Sequence, residues 1–288
     1  MEAYMINLKA AAKVADADIK NVKLGAVILG TPSAGKSGLL GTFGCKTLYA
    51  YFGGESHGPI STFTHATSEV IPYPLSLDDE GKALNSTQAY SRLLTLLKAK
   101  DTLKAEGIEA VAIDGLTELE NTILDMPVWS ERVEKEKKGN TSYSGDITVS
   151  LFRPVLDALR ALQRDIGVHY AVTCILDVQK YDKIGTILEG MPKLKGFDVA
   201  TGIILQFPDR LMIGPIINDE GVAVPRLQMT AKAHRETKDQ TTKAIRKTYN
   251  FRVQLAGCDM ATFPESLRPD LSRMIKYKAA KKYFKIEA

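Results

Sequence analysis

Gly30, Gly35, Lys36 and Ser37 stand at the spacing G-x-x-x-x-G-K-[ST] within the stretch "VILGTPSAGKSGLL". These residue types at this spacing fit one chemistry, the binding of a polyphosphate. A loop of small residues curls so that its backbone N–H groups form an anion nest, and glycine accepts the dihedrals this requires. A helix opening after the loop turns its positive end to the same anion. Lys36 would reach the β- and γ-phosphates, and the Ser37 hydroxyl would ligate Mg²⁺. Gly30, Thr31, Pro32, Ser33, Ala34, Gly35, Lys36, Ser37 and Gly38 are therefore the candidate nucleotide-binding residues.

A phosphate loop needs a second oxygen ligand for its cation. The apolar run "AVAIDG" ends in Asp114, 78 residues after Lys36. An aspartate there holds Mg²⁺ directly or through water. A third carboxylate would orient or deprotonate the attacking water, and Glu55, after "YAYFGG", is placed for that. Glu118 and Glu120 compete for the role, unless they are only first-turn acids favoured by a helix dipole. His57 either touches a phosphate or is a loop histidine. Thr173 and Gln179, in and just after "VHYAVTCIL", are candidate sensors of the γ-phosphate.

The elements around these residues alternate. "LGAVILG" reads as a buried strand and "KSGLLGTF" as a helix start. "KTLYAYFGGE" and "SEVIPYPLS" supply strands, broken by Gly53 and Gly54 and by prolines. "STQAYSRLLTLLKAKDTLKAEG" has leucines at helical spacing, with Gly107 as a stop. "IEAVAIDG" and "VHYAVTCIL" read as buried strands, and "VSLFRPVLDALRALQRDIG" as an amphipathic helix between them. Residues 130–146 are charged, then Gly/Ser-rich, and read as an exposed insertion. "KYDKIGTILEGMPKLKG" reads as a loop. "VATGIILQF" and "RLMIGPII" read as paired strands, and two more strands lead to a basic helix after Pro264. Such alternation predicts an α/β fold whose mostly parallel sheet is flanked by helices, with ligands at the carboxyl ends of the strands. The expected division is a lead-in over 1–23, a core over 24–225 and a basic C-terminal extension over 226–288.

Of 288 residues, 44% are hydrophobic and 25% charged, enough apolar content to bury a core without staples. Cys45, Cys174 and Cys258 form no C-x-x-C pair, which speaks against a zinc ribbon or disulfide framework. No apolar run approaches a membrane span, and the expectation is a cytoplasmic protein. The net charge of +4 is unevenly spread: Arg226 to Ala288 carry 15 Lys/Arg against 6 Asp/Glu, so the rest of the chain is net acidic. A basic quarter on an acidic body predicts a polyanion partner or a solvated basic helix.

The order "GTPSAGKS", a strand followed by Glu55, "VAIDGLTE" and "MPKLKGFD" resembles the RecA-like branch of P-loop ATPases. More narrowly it resembles phage-encoded AAA-domain and RecA-like ATPases of single-strand annealing and recombination. The resemblance covers roughly residues 24–213 and implies a RecA-like core that uses ATP and Mg²⁺. It implies single-stranded DNA as partner, self-association, and recombination or replication proteins nearby. In "TTKAIRKT", Lys243 and Arg246 resemble cations that a neighbouring subunit offers to the γ-phosphate, or else belong to the basic surface. Nucleic-acid contacts would come from Lys193 and Lys195 in the loop 180–196, or from Lys276, Lys281 and Lys282 on the last helix. Tyr277, Tyr283 and Phe284 there either stack on bases or form the helix's core face. The alternatives to a DNA-coupled ATPase are a nucleotide-gated binding module with negligible hydrolysis and a small-molecule kinase.

Overall fold

A computed structural model describes residues 23–53, 63, 66–137, 144–194, 202–229, 232–238 and 245–283. In chain order its strands are β1 (Gly25–Gly30), β2 (Thr47–Tyr51), β3 (Val70–Pro74), β4 (Ala110–Asp114), β5 (His169–Tyr181), β6 (Ile187–Pro192), β7 (Asp209–Ile217), β8 (Ala223–Gln228), β9 (Lys232–Lys238), β10 (Ile245–Arg252) and β11 (Ser266–Leu267). The helices are α1 (Lys36–Leu40), α2 (Ser86–Lys98), α3 (Lys100–Ala105), α4 (Leu116–Leu124), α5 (Pro127–Lys137), α6 (Ser144–Ile166) and α7 (Leu271–Ala280).

The main sheet has the order β11-β8-β7-β1-β5-β4-β2-β3. From β7 to β3 every neighbouring pair is parallel, while β8 and β11 add antiparallel edges. Parallel strands joined by crossover helices are buried on both faces, and β1 is buried at every position. Helices α2, α4 and α6 pack against one another through Leu93, Leu97, Leu119, Ile123, Phe152 and Leu162, all essentially without solvent contact. Asn85 and Gln88 close a reciprocal capping box at the start of α2, at 2.9 and 3.0 Å.

Several sequence expectations need correction. The helix expected to run on to Gly107 breaks at Ala99, whose ψ of 52° turns the chain into α3. The charged half of the expected 130–146 insertion is helical, because "SERVEKEK" is rich in strong helix formers; residues 138–143 lie outside the described residues. The expected loop 180–196 is largely a hairpin. β5 runs on past its neighbours to Tyr181 and pairs antiparallel with β6. The Asp182 carboxylate makes the turn by accepting from the Ile184 and Thr186 amides at 3.0 and 2.7 Å. "VATGIILQF" is not a strand where it is described. Residues 202–204 form a helical turn that buries Ile203, Ile204 and Phe207, a spacing that suits a helix better than a strand.

The C-terminal segment is knitted into the sheet. β8 runs continuously through residue 225, and β11 adds to it. β9 and β10 form a separate antiparallel ribbon, with β9 alongside β6. Helix α7 starts on the turn leaving α1: Leu271 N–H donates to Thr42 Oγ1 at 2.8 Å and Ser272 N–H to the Thr42 carbonyl at 2.9 Å. Further along α7, Lys278 Nζ meets Asp209 Oδ2 at 2.5 Å with both side chains buried. Asp209 also accepts from the amides of Gly25 and Ala256, each at 2.8 Å. Its charge is thus paired and hydrogen-bonded, the condition under which burial is tolerated.

Candidate active site

The loop between β1 and α1 is built as its sequence demands. Ser33 and Gly35 both have left-handed backbones, φ 61° and 88°. Such turns gather successive amides into an anion nest, and the Gly35 position favours glycine for that reason. Leu39 and Leu40, buried in the core, pin the short helix that follows. Lys36 Nζ lies back over the loop and donates to the Gly30 and Thr31 carbonyls at 3.0 and 2.7 Å. Burial lowers its pKa, and the negative charge of Asp114 is the strongest influence opposing the shift.

Asp114 ends β4, and β5 stands between β4 and the loop-bearing β1. Both neighbours of β4 contribute to the aspartate. The Tyr49 phenol on β2 donates to Asp114 Oδ2 at 2.7 Å. The Thr173 hydroxyl on β5 donates to Asp114 Oδ1. The Ser37 side chain lies near the same phenol. The structure therefore brings together Ser37 and Asp114, the two expected cation ligands, through a residue the sequence reading did not single out. The Asp114–Gly115 peptide is cis. A Cβ on Gly115 would fall 2.5 Å from Thr173 Oγ1, so only glycine admits the close approach of β5 here. Tyr49 is almost fully buried and its pKa is raised, chiefly by burial and then by the Asp114 charge.

The donor set suits magnesium. Ser37 and Asp114 offer hard oxygens, and Mg²⁺ is usually held by one or two protein oxygens with phosphates and water completing its shell. Among the described residues no cluster of three His, Cys, Asp or Glu side chains is placed to hold a metal alone.

Beside this cluster, α4 and the β5–β6 hairpin enclose a cleft of about 390 Å³ lined by Thr117, Glu118, Asp177 and Lys193, among others. The pKa of Glu118 is raised, mainly by burial; Asp114 adds to the rise, and Lys36 and Lys193 oppose it. Glu118 is thus a described carboxylate in the electrostatic field of the loop lysine. Glu120 is buried. Cys174, next to Thr173, is an inert thiol pushed up to about 12 by burial.

The remaining expected residues fall apart from this cluster or outside the described residues. Glu55, His57, Lys195 and Lys243 are in the latter group. Gln179 lies in the outer part of β5, six positions beyond Thr173, and it is Thr173 that meets Asp114. Arg246 lies in the β9–β10 ribbon. Lys193, Lys276, Lys281 and Lys282 are exposed. Tyr277 is not available to stack on bases: it is buried against Phe263 and Tyr283, with ring centroids 5.5 and 5.2 Å away. The signal for Tyr49 was faint. It is one tyrosine on an apolar strand, and only the β2–β4 register, which sets Tyr51 beside Asp114, reveals its reach.

No protein-family model matches the chain, and no curated protein matches it. Among solved structures, a crystal structure of the RadB recombinase is similar, with a TM-score of 0.36 and 14% identity over 80% of this chain and 87% of that one. So distant a likeness adds nothing to the chemistry, which rests on the loop and the strand ends.

Proposed function

We propose that the chain is a Mg²⁺-dependent ATPase with a RecA-like core that acts on single-stranded DNA in phage recombination or replication. The observation that carries the reading is the convergence of Lys36, Ser37 and Asp114 at the carboxyl ends of β1 and β4. Loop amides and Lys36 would hold the phosphates, and Ser37 and Asp114 would hold Mg²⁺. When bound, the cation supplies charge neutralisation at the bridging phosphate oxygens. Thr173 keeps the Asp114 carboxylate oriented. Turnover in such sites is positioning and electrostatics, so basal activity is slow without a polymer or partner subunit.

For the carboxylate that positions water, the proposal keeps two residues. Glu55 follows β2 in the sequence. Glu118 stands on α4 within reach of the Lys36 and Asp114 charges. Replacing each by glutamine assigns the role to the one whose loss removes turnover and leaves Mg·ATP binding intact.

Exposed Lys180, Lys183 and Lys193 on the β5–β6 hairpin support a polyanion partner near the nucleotide site. The ribbon beside β6 adds six Lys/Arg against one Glu in β9 and β10. Lys276 on α7, with Lys281 and Lys282 just beyond its end, is the second candidate surface. Lys243 and Arg246 would serve a neighbouring subunit's γ-phosphate if the chain self-associates. Among the described residues no helix is long and apolar enough to cross a membrane. The cytoplasmic location we propose follows from the family resemblance.

ATP hydrolysis by wild type and Lys36→Ala, each with and without single-stranded DNA, tests the reading. Stimulation by DNA that disappears in the variant supports it. Nucleotide binding without turnover under any condition replaces it with a nucleotide-gated binding module, and phosphate found on a small acceptor replaces it with a kinase.

A further inference from the structure

The β5–β6 hairpin does not stand free of the rest of the fold. Gln228, buried on β8, accepts from the Ile187 amide at 2.8 Å and donates its side-chain N–H to the Gly185 carbonyl at 3.1 Å. The Ile217 amide at the end of β7 donates to the Ile184 carbonyl at 3.0 Å. Gly185, φ 93°, passes so close to β7 that a Cβ there would lie 2.6 Å from the Pro215 carbonyl oxygen. Each tip is also tied within itself. Asp182 gathers two amides across the β5–β6 turn. Asn218 does the same across the β7–β8 turn, accepting from Glu220 and Val222 at 3.1 and 2.8 Å. The two tips therefore form one rigid surface.

That surface is apolar where turns ordinarily carry polar residues. Among the described residues seven large hydrophobic side chains are exposed, and five of them are here. Tyr181, Ile184 and Leu188 are on the first hairpin, Ile217 and Val222 on the second, each at least 42% exposed. Exposed apolar side chains gathered in one place, rather than scattered, mark a surface that something covers. The charges around them indicate what. Exposed Lys180 and Lys183 belong to the first hairpin, exposed Asp219 and Glu220 to the second. Among the described residues none of these four forms an ion pair. A polyanion laid across both tips would meet two carboxylates. A second copy meets the opposite charge twice, because a two-fold axis running between the tips sets each tip against the other tip of its partner.

We propose that the paired tips are an isologous interface through which two copies of this chain associate, with Ile184, Ile217 and Val222 at its centre and Lys183 of one copy facing Asp219 of the other. The inference stands apart from the nucleotide-binding reading. An isologous contact closes at two copies and does not propagate. Because the tips are fixed before association, little ordering entropy opposes it. Lys180 and Lys183 are also lysines offered above to a polyanion, so a single strand and a second copy compete for them.

Sedimentation velocity of the full chain over a range of concentrations tests this, with urea unfolding to confirm the fold of each variant. The wild type is expected to pass from monomer to dimer and stop there. Ile184→Ser combined with Ile217→Ser keeps the backbone hydrogen bond between the tips and is expected to raise the dissociation constant about tenfold or more. Lys183→Glu and Asp219→Lys are each expected to weaken the dimer, since each sets like charges face to face. Mixed, the two charge variants are expected to pair with one another, since the mixed dimer restores both contacts. A wild type that stays monomeric to about 1 mM overturns the inference. So does a dimer that the isoleucine variant leaves unchanged, or a pair of charge variants that fails to recover on mixing. Growth beyond two copies overturns the isologous geometry. If the isoleucine variant loses single-stranded DNA binding while self-association is unchanged, the surface belongs to a polyanion and the inference falls.

Discussion

Asp209 and Lys278 form an ion pair at 2.5 Å in which the carboxylate has no exposed surface and the lysine side chain is 7% exposed. Removing one member of such a pair leaves the other charge buried without its counter-ion. Lys278→Met is therefore expected to destabilise the protein by about 3 kcal/mol, read as a fall in the urea midpoint with unchanged slope. A loss below about 1 kcal/mol would mean that the Gly25 and Ala256 amides satisfy Asp209 by themselves.

Among the described residues Lys36 donates its hydrogen bonds to the Gly30 and Thr31 carbonyls of its own loop, so its replacement is expected to leave the fold in place. Lys36→Ala is expected to weaken ATP binding about 10- to 100-fold, the range of one charge-assisted hydrogen bond, with little change in the unfolding midpoint. Titration calorimetry with ATP and Mg²⁺ checks this.

Gly115 faces Thr173 Oγ1 and its backbone carbonyl so closely that a methyl group would lie 2.5 and 3.0 Å from them. Gly115→Ala is expected to cost about 2 kcal/mol through overpacking. Adding Thr173→Ala should restore part of that loss. Strict additivity in the double-mutant cycle would show that the two sites do not press on each other.

His169 accepts a hydrogen bond from the Leu24 amide at 3.0 Å, and burial, with smaller contributions from the Lys23 and Lys278 charges, lowers its pKa to about 4 from 6.5. Between those values the unfolded chain binds a proton that the folded chain refuses. Stability therefore rises with pH across the window. The contribution, of order 3 kcal/mol, is complete above about pH 6.5 and is lost as the pH falls to about 4. Unfolding curves of His169→Asn, which keeps an acceptor without titrating, should lack this part of the pH dependence.

Polyanion binding should separate the two basic surfaces. Three lysine contacts removed from a single strand reduce the slope of log affinity against log salt by about 2. Replacing Lys180, Lys183 and Lys193 by alanine is expected to produce that change in single-stranded DNA titrations, and replacing Lys276, Lys281 and Lys282 to produce less. The reverse order would place the strand on α7.

Much of this molecule was legible from residue order. β1, β4 and the first half of β5 announce themselves as unbroken apolar runs, and the phosphate loop is fixed by local spacing. Long-range geometry was not. Tyr49 looks like any strand aromatic until the β2–β4 register brings its phenol to Asp114. Tyr277 could be read as a base-stacking ring or as part of the helix's core face, because nothing local tells a helix which side it will bury; the structure buries it. The β5–β6 hairpin was hidden by lysines and glycines that suit a loop equally well. The Ala99 break between α2 and α3 has no Gly or Pro to mark it.

The docking of α7 on Thr42 and Asp209 also has a temporal meaning. The helix that braces the turn leaving α1 emerges from a ribosome more than 200 residues after that turn. A nascent chain thus carries the loop after β1 without this brace until α7 has emerged. The proposed ATP binding is then expected only once α7 has docked, and a chain cut short before residue 278 should be recognised by its protease sensitivity.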